Sequence, residues 1–295
     1  MAIDLAAASS FMTAHARLLD RRRFAVRFRG DDARGALAAL EAYRNPDGGY
    51  GALEPDLRAE ESQPVGGMHA FEVFEDIGPA TTSPRAVELC DWLAAASLPD
   101  GGLPFALPVR DTTATAPFWA AADPTVSSLH ITAAVTAVAH RVARHDPGVA
   151  GHPWLERATD YCFATIAGRD EPESTLELRY SLLLLDAAAA THPAAVPLID
   201  KLAAAIPESG TLPVEGGLPD EVIGPLEFSP DPDGPVRAHL AAAAVAADLD
   251  RLAAGQQDDG GWVVDFTAYS PAAALDWWGY ATVGALAVLR ANGRV

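Results

Sequence analysis

Three phrases in the 295-residue chain share an Asp-Gly-Gly core: "NPDGGYGALEPDL" from Asn45, "LPDGGLPFALPVR" from Leu98 and "GQQDDGGWVVDF" from Gly255. Their aspartates, Asp47, Asp100 and Asp259, lie 53 and then 159 residues apart, and 159 is three times 53. A degenerate copy, "PESGTLP" from Pro207, falls near one missing mark, and no clear copy stands near residue 153. A recurring period near 50 residues is the signature of a repeat architecture. Each phrase is suited to one task. Asp-Gly ends a helix and supplies the positive φ of a tight turn, a short extended piece follows, and Trp, Tyr or Leu packs the corner down.

The stretches between corners read as helices. Ile131, Val135, Val138 and Val142 keep a helical apolar spacing, as do Leu176, Tyr180, Leu183 and Ala187, and Ala274, Trp278, Ala281 and Ala285. Pro84, Pro124, Pro153, Pro193, Pro235 and Pro271 sit where first helical turns are expected, a position where a missing N–H costs nothing. Ser83, Asp123 and Ser270 precede three of them as N-cap candidates. Each period thus holds about two helices. Five or six helical hairpins closing into a ring give an all-α chain, an α/α toroid expected to form one domain over 1–295. "STLELRYSLLLLDAAAA" (174–190) has the nearly all-round apolar character of an inner helix, and "SPRAVELCDWLAAAS" (83–97) the amphipathic pattern of an outer one.

Charge narrows the partners. With 21 basic and 40 acidic residues the net charge is −19, which argues against nucleic acid and against anionic membranes. Only Lys201 among the basic residues is a lysine. Cys90 and Cys162 lie in apolar helical stretches and are expected to be buried free thiols in a reducing compartment. No basic n-region leads into an apolar h-region at the N-terminus, and no apolar run approaches 18 residues, so a cytoplasmic protein without a membrane span is expected. The oligomeric state is left open.

The corner phrases resemble the Gln–Trp and Asp-Gly-Gly repeats of the prenyltransferase and terpenoid-cyclase superfamily, whose fold is an α/α toroid. The resemblance is strongest over residues 43–71 and 249–289, where Gln256, Gly260 and Trp262 match the motif residue by residue. It implies a small hydrophobic, isoprenoid-like ligand in a central cavity. Metal-dependent members hold zinc through Asp, Cys and His. Here Asp276 matches the Asp, but Gly279 stands in place of the His and no Cys falls at an inner-helix mouth. The Asp-Asp-x-x-Asp motif is absent, since "DDARG" from Asp31 lacks a third acid. No metal or cofactor is therefore expected, and acid/base work is expected instead. Asp231 and Asp233 in "SPDPDGP" match half of the Asp-x-Asp-Asp motif of protonating cyclases, with Gly234 where the last Asp belongs; the same phrase also suits a rigid turn before Pro235.

In such a ring, the segments leading into the inner helices (53–69, 118–130, 171–180, 226–239 and 265–280) are expected to face one mouth. Glu54, Asp56 and Arg58 alternate along an expected extended piece, which puts them on one side as a rim group or a solvated loop. His69 and His130 begin inner helices as candidate acid/base groups, or as partners of a neighbouring turn. Asp56, His69, Asp123 and His130 form the candidate catalytic set. Trp119, Arg179, Tyr180, Trp277, Trp278 and Tyr280, with Glu54, Arg58, Asp231 and Asp233, form the candidate binding set; the aromatics suit isoprenoid chains and carbocations, or simply fill the core. "RRRFAVRFRG" (21–30) reads as a basic outer face or a phosphate partner. A carbohydrate-active α/α barrel and a non-catalytic scaffold are the competing functions.

Overall fold

The computed structural model describes residues 3–295. Its helices pair into hairpins that close a ring. The inner layer contains α2 (Leu18–Arg29), α4 (Pro64–Ile77), α7 (Leu129–Ala143), α10 (Thr175–Ala188) and α14 (Pro271–Ala291). The outer layer contains α3 (Arg34–Glu41), α5 (Pro84–Ala96), α9 (Pro153–Gly168), α11 (Ala195–Ala203), α13 (Ala242–Ala254) and, by closure, α1 (Leu5–His15). Neighbouring inner helices pack in the order α14, α2, α4, α7, α10. A sixth inner position, beside α10, is not one helix. It is broken into α12 (Pro225–Phe228) and a 3₁₀ turn, Pro235–His239, which pack on α10. Short helices α6 (Pro117–Ala120) and α8 (Pro147–Ala150) lie in connections, and the two-residue strands β1 (Leu212–Pro213) and β2 (Val222–Ile223) form a small hairpin.

Burial follows the layers. Twelve of the 14 residues of α4 and 12 of the 15 of α7 are buried, against five of 13 in α5. The segment 174–190 is inner and 83–97 outer, as their apolar patterns imply. Ser83, Ser128, Ser174 and Ser270 cap α5, α7, α10 and α14, each accepting a backbone N–H of the first turn. Pro84, Pro153 and Pro271 open helices as expected, and Pro235 opens the 3₁₀ turn. Pro124 and Pro193 instead lie in turns ahead of α7 and α11, and Asp123 caps no helix.

The three corners are superimposable in their bonding. In each, the residue two before the Asp exchanges backbone bonds with both glycines, and the Asp Oδ1 accepts the N–H of the second glycine at 3.0 Å. The residue after the glycines then docks on an inner helix: Leu103 N–H donates to Thr132 Oγ1 at 2.8 Å and Trp262 N–H to Thr282 Oγ1 at 2.9 Å. At Gly260, φ is +94°, and a Cβ would lie 2.2 Å from the carbonyl carbon of Ala7 on α1. The third corner therefore receives the N-terminal helix. Gln256 completes the clasp, its Oε1 accepting from Asp4 N–H and its Nε2 donating to Asp4 O, both at 2.9 Å.

Corner spacing is less regular than the sequence intervals imply. The missing corner lies not near 153 but at 169–174, between α9 and α10. Insertion of α8 and the 16-residue α9 lengthens the hairpin before it, and the short α11 shortens the one after it. By length and composition α14 is apolar enough to cross a membrane, which the sequence reading did not anticipate; in the ring it packs on α1, α2 and α13.

Candidate functional site

The inner helices α4, α7, α10 and α14 start at one mouth of the ring. The turn before α4 brings its polar residues there. Residues 54–57 form a turn closed by Leu57 N–H to Glu54 O, not the extended piece the alternation predicts. A long loop after α5 folds over the same mouth, held by the Gln63 side-chain amide against both backbone groups of Leu107 and by the Leu57–Thr115 bridge.

His69 is 2% exposed and has a carboxylate on each ring nitrogen. Nε2 lies 2.8 Å from Glu54 Oε2, and Nδ1 lies 3.3 Å from Glu72 Oε2. Burial would lower the imidazole pKa, but the bonds and charges of Glu54 and Glu72 outweigh it and raise it to about 9. Burial acts to raise Glu72, yet Arg23, His69 and the Tyr280 hydroxyl hold it down at about 2. The pair is therefore an imidazolium flanked by carboxylates at neutral pH. Tyr280 Oη donates to Glu72 Oε1 at 2.6 Å, so Tyr280, Glu72, His69 and Glu54 form one hydrogen-bonded chain. Arg23 backs it, with Nη1 at 3.1 Å from Glu72 Oε2 and Nε at 2.6 Å from Asp76 Oδ2. Arg27 closes on the other Asp76 oxygen at 2.6 Å. The arginine-rich run is thus an inner helix that turns Arg23 and Arg27 into the ring and keeps Arg21, Arg22 and Arg29 exposed as a basic outer face.

Asp56 serves as a clamp. Its Oδ1 accepts Tyr269 N–H and its Oδ2 accepts Trp277 Nε1–H, both at 2.8 Å, tying the turn to the entry of α14. Arg58 reaches Asp276 at 3.0 Å beside it. Trp277 stands edge-on to His69, Tyr280 and Phe266. Trp278, one residue on, points to another side of α14 and packs into the apolar cluster of α1 and α13. Across the mouth, Trp119 stacks on Phe105 at 4.5 Å, Phe105 meets His130 edge-on, and His130 stacks on Tyr180 at 4.8 Å. Burial and the Arg179 charge lower the His130 pKa to about 4, so this imidazole is neutral.

The structure therefore brings together Glu54, Asp56, Arg58, His69, Trp277 and Tyr280 on one side, and Trp119, His130, Arg179 and Tyr180 on the other. Four candidates lie elsewhere, Trp278 as described among them. Asp123 is exposed and accepts from its own Thr125 N–H and hydroxyl. Asp231 and Asp233 sit at the opposite mouth, because 225–239 runs down through the ring. Glu227 lies near Arg179 at the start of α10, whereas Gly234 and Val236 meet Asp186 near the end of α10. Asn292, at the end of α14, holds Pro230 and Arg237 there.

Sequence reading missed Glu72, Asp76, Arg23, Arg141 and Glu227. His69, Glu72 and Asp76 fall at i, i+3 and i+7, one polar stripe on an apolar helix, which is a signal that was available. The middle of the ring differs from the mostly apolar cavity expected. Arg141, Arg179 and Glu227 are surrounded by protein, yet 28%, 27% and 31% of their side-chain surfaces remain open to solvent. With Tyr180 and Tyr280, also only partly buried, they make the middle of the ring charged and partly open. Among the described residues no group of three or more His, Cys, Asp or Glu is disposed to hold a metal ion.

This two-layered ring of helical hairpins has the architecture of an α/α toroid. Solved structures share that fold. The type II terpene cyclase MstE from Scytonema, in complex with its substrate geranylgeranyl dihydroxybenzoate, is similar over 98% of this chain and 88% of its own, with TM-score 0.56 and 14% identity. A product complex of MstE with merosterolic acid A covers 96% of this chain and 83% of its own, with TM-score 0.52 and 14% identity. A protein from Actinoplanes covers 97% of both chains, with TM-score 0.54 and 15% identity. No protein-family model and no curated protein matches the sequence.

Proposed function

We propose that a recess between Trp277 and Tyr280 on one side and Trp119, Arg179 and Tyr180 on the other receives a hydrophobic, isoprenoid-type small molecule bearing a polar group, and that the Tyr280–Glu72–His69–Glu54 chain moves a proton to or from it. The observation that carries this reading is the buried imidazolium between two carboxylates, linked through Glu72 to a tyrosine that is half-open to the recess. The aromatic groups of Trp277 and Phe266 on one side and Trp119, Phe105 and Tyr180 on the other suit an unsaturated chain and any positive charge that develops on it. The fold-sharing MstE structures bind an isoprenoid benzoate. A proton retained to about pH 9 is matched to an oxygen or a carbonyl-activated carbon, not to a bare alkene. His69 holds a proton, Glu54 and Glu72 orient and charge the ring, and Tyr280, whose O–H donates to Glu72, turns its hydroxyl oxygen to the ligand as an acceptor.

The charged, wetted lining favours a second reading, a polar ligand such as a sugar stacked on Trp277. One experiment separates the two. The protein is examined by native mass spectrometry for co-purified ligand, and its melting temperature is measured with farnesol, geranylgeraniol and a panel of monosaccharides. Stabilisation by the isoprenoids, weakened in Tyr280→Phe, supports the first reading. Stabilisation by sugars with none by isoprenoids abandons it for the second.

A further inference from the structure

Arg179 is the one guanidinium in the recess that the fold leaves without a hydrogen bond. It lies on α10, deep in the ring, with its Nε buried and unsatisfied. Its nearest carboxylate oxygen, Glu227 Oε1, is 3.6 Å from Nη1, beyond hydrogen-bond reach, and the guanidinium is otherwise placed over the Tyr180 ring at 5.1 Å. Among the described residues it donates to no backbone or side-chain acceptor. Other arginines of the ring each hold an acceptor: Arg17 is bonded to Asp20 and Leu53 O, although its Nη2 is also left over, Arg23 to Glu72 and Asp76, and Arg141 to Glu75. The buried Nε–H without a partner is costly, and the part-open Nη groups leave room for an acceptor from outside the chain to complete the guanidinium.

We propose that Arg179 receives a carboxylate borne by the ligand, so that the recess takes a hydrophobic acid and not a neutral isoprenoid. The planar fork of an arginine matches a carboxylate in a two-bond grip, and burial strengthens it. Local charge sets the size of the anion. Arg23, Arg141, Arg179 and the His69 imidazolium are balanced in number by Glu54, Glu72, Glu75 and Glu227, and Arg27 pairs with Asp76. Asp265 also acts on Arg179 and Glu227, so the setting has no surplus of positive charge; it favours a singly charged anion held by Arg179 over a triply charged diphosphate. The Tyr180 and His130 stack beside the guanidinium gives the flat apolar wall that the adjoining part of such a ligand would lie on.

This rests on the reading of the recess as a hydrophobic-ligand site, and the test keeps the two apart. Binding of farnesoic acid and of farnesol, which share a chain and differ at the head, is measured by quenching of tryptophan fluorescence in the wild-type protein, Arg179→Gln and Arg179→Lys. Benzoate is measured in parallel by thermal shift. The acid is expected to bind the wild-type roughly tenfold or more tighter than the alcohol, with that preference lost in Arg179→Gln and reduced in Arg179→Lys. Equal binding of acid and alcohol by the wild-type, or an undiminished preference in Arg179→Gln, overturns the proposal. If neither chain binds but benzoate stabilises the wild-type and not Arg179→Gln, the anion site stands and the hydrophobic-ligand reading falls. If no carboxylate binds, the proposal falls. Circular dichroism of each variant establishes that loss of binding is not loss of fold.

Discussion

At the scale of the residue, the centre of the ring depends on His69. Its folded pKa, about 9, lies above the ordinary 6.5, so the stability it contributes is complete below about pH 6.5 and disappears as pH rises through 9. Glu72 works in the opposite direction. At about 2 against an ordinary 4.5, its contribution is complete above pH 4.5 and is lost as pH falls through 2. Melting temperature should therefore be highest between roughly pH 4.5 and 6.5 as far as this pair is concerned, and decline from 6.5 towards 9. His69→Gln should abolish that alkaline decline; an unchanged profile in the variant would show that the imidazolium is not what titrates. His69→Ala should cost about 3–5 kcal/mol in denaturant unfolding, because two buried carboxylates lose their cation. The place of His69 early in an inner helix was legible in the sequence. Its partners were not, since Glu54 and Tyr280 lie 15 and 211 residues away along the chain and meet it only when the ring closes.

At the scale of the element, helices announced themselves and their ends mostly did too. Serines at the caps, prolines at first turns and the apolar period all act within one or two turns of chain, so they can be read locally. Pro124 and Pro193 show where that fails: proline fits a first helical turn and an ordinary turn equally well, and the neighbouring packing chooses. The α2 segment shows a second failure. Its five arginines look like a solvent face, yet Arg23 and Arg27 face inward because Glu72 and Asp76 on α4 wait there. The Asp-Gly-Gly corner is the best-determined element, since one backbone geometry demands one residue type. Gly260→Ala should cost about 1–3 kcal/mol in backbone strain alone and should also displace α1, whose Ala7 occupies the space of the new methyl group. Limited proteolysis would detect the displacement as new cleavage within residues 5–15. A variant with wild-type stability and an uncut α1 would show that the close approach is not required.

At the scale of the whole molecule, the ring is closed by contacts that join its two ends. Ala8, Phe11 and Met12 of α1 are buried in one cluster with Trp262, Val283 and Leu286, and Gln256 clasps Asp4. Gly279 belongs to the same closure. A Cβ there would stand 2.9 Å from that of Ala16, so the glycine at this position has a packing reason. Deleting the chain through His15 should strip α14 of its outer partner and leave its apolar face bare. Hydrogen exchange should then show α14 and α2 losing protection while α7 and α10, packed on each other, keep theirs. Unchanged protection in α14 would mean that closure by α1 is dispensable.

The sequence alone determined that this chain is helical, that its helices come in hairpins turned at glycine corners, and that its polar and aromatic residues gather ahead of the inner helices. Those features are local, fixed by backbone sterics and by periods of a few residues. Only the tertiary structure decided which of those residues meet. It bent Glu54 and Asp56 around a turn onto different partners, carried Asp231 and Asp233 to the far mouth, and filled the hollow with paired charges instead of hydrocarbon. Such outcomes depend on distances across the ring, which are set when the last hairpin closes on the first helix and which no short stretch of chain encodes.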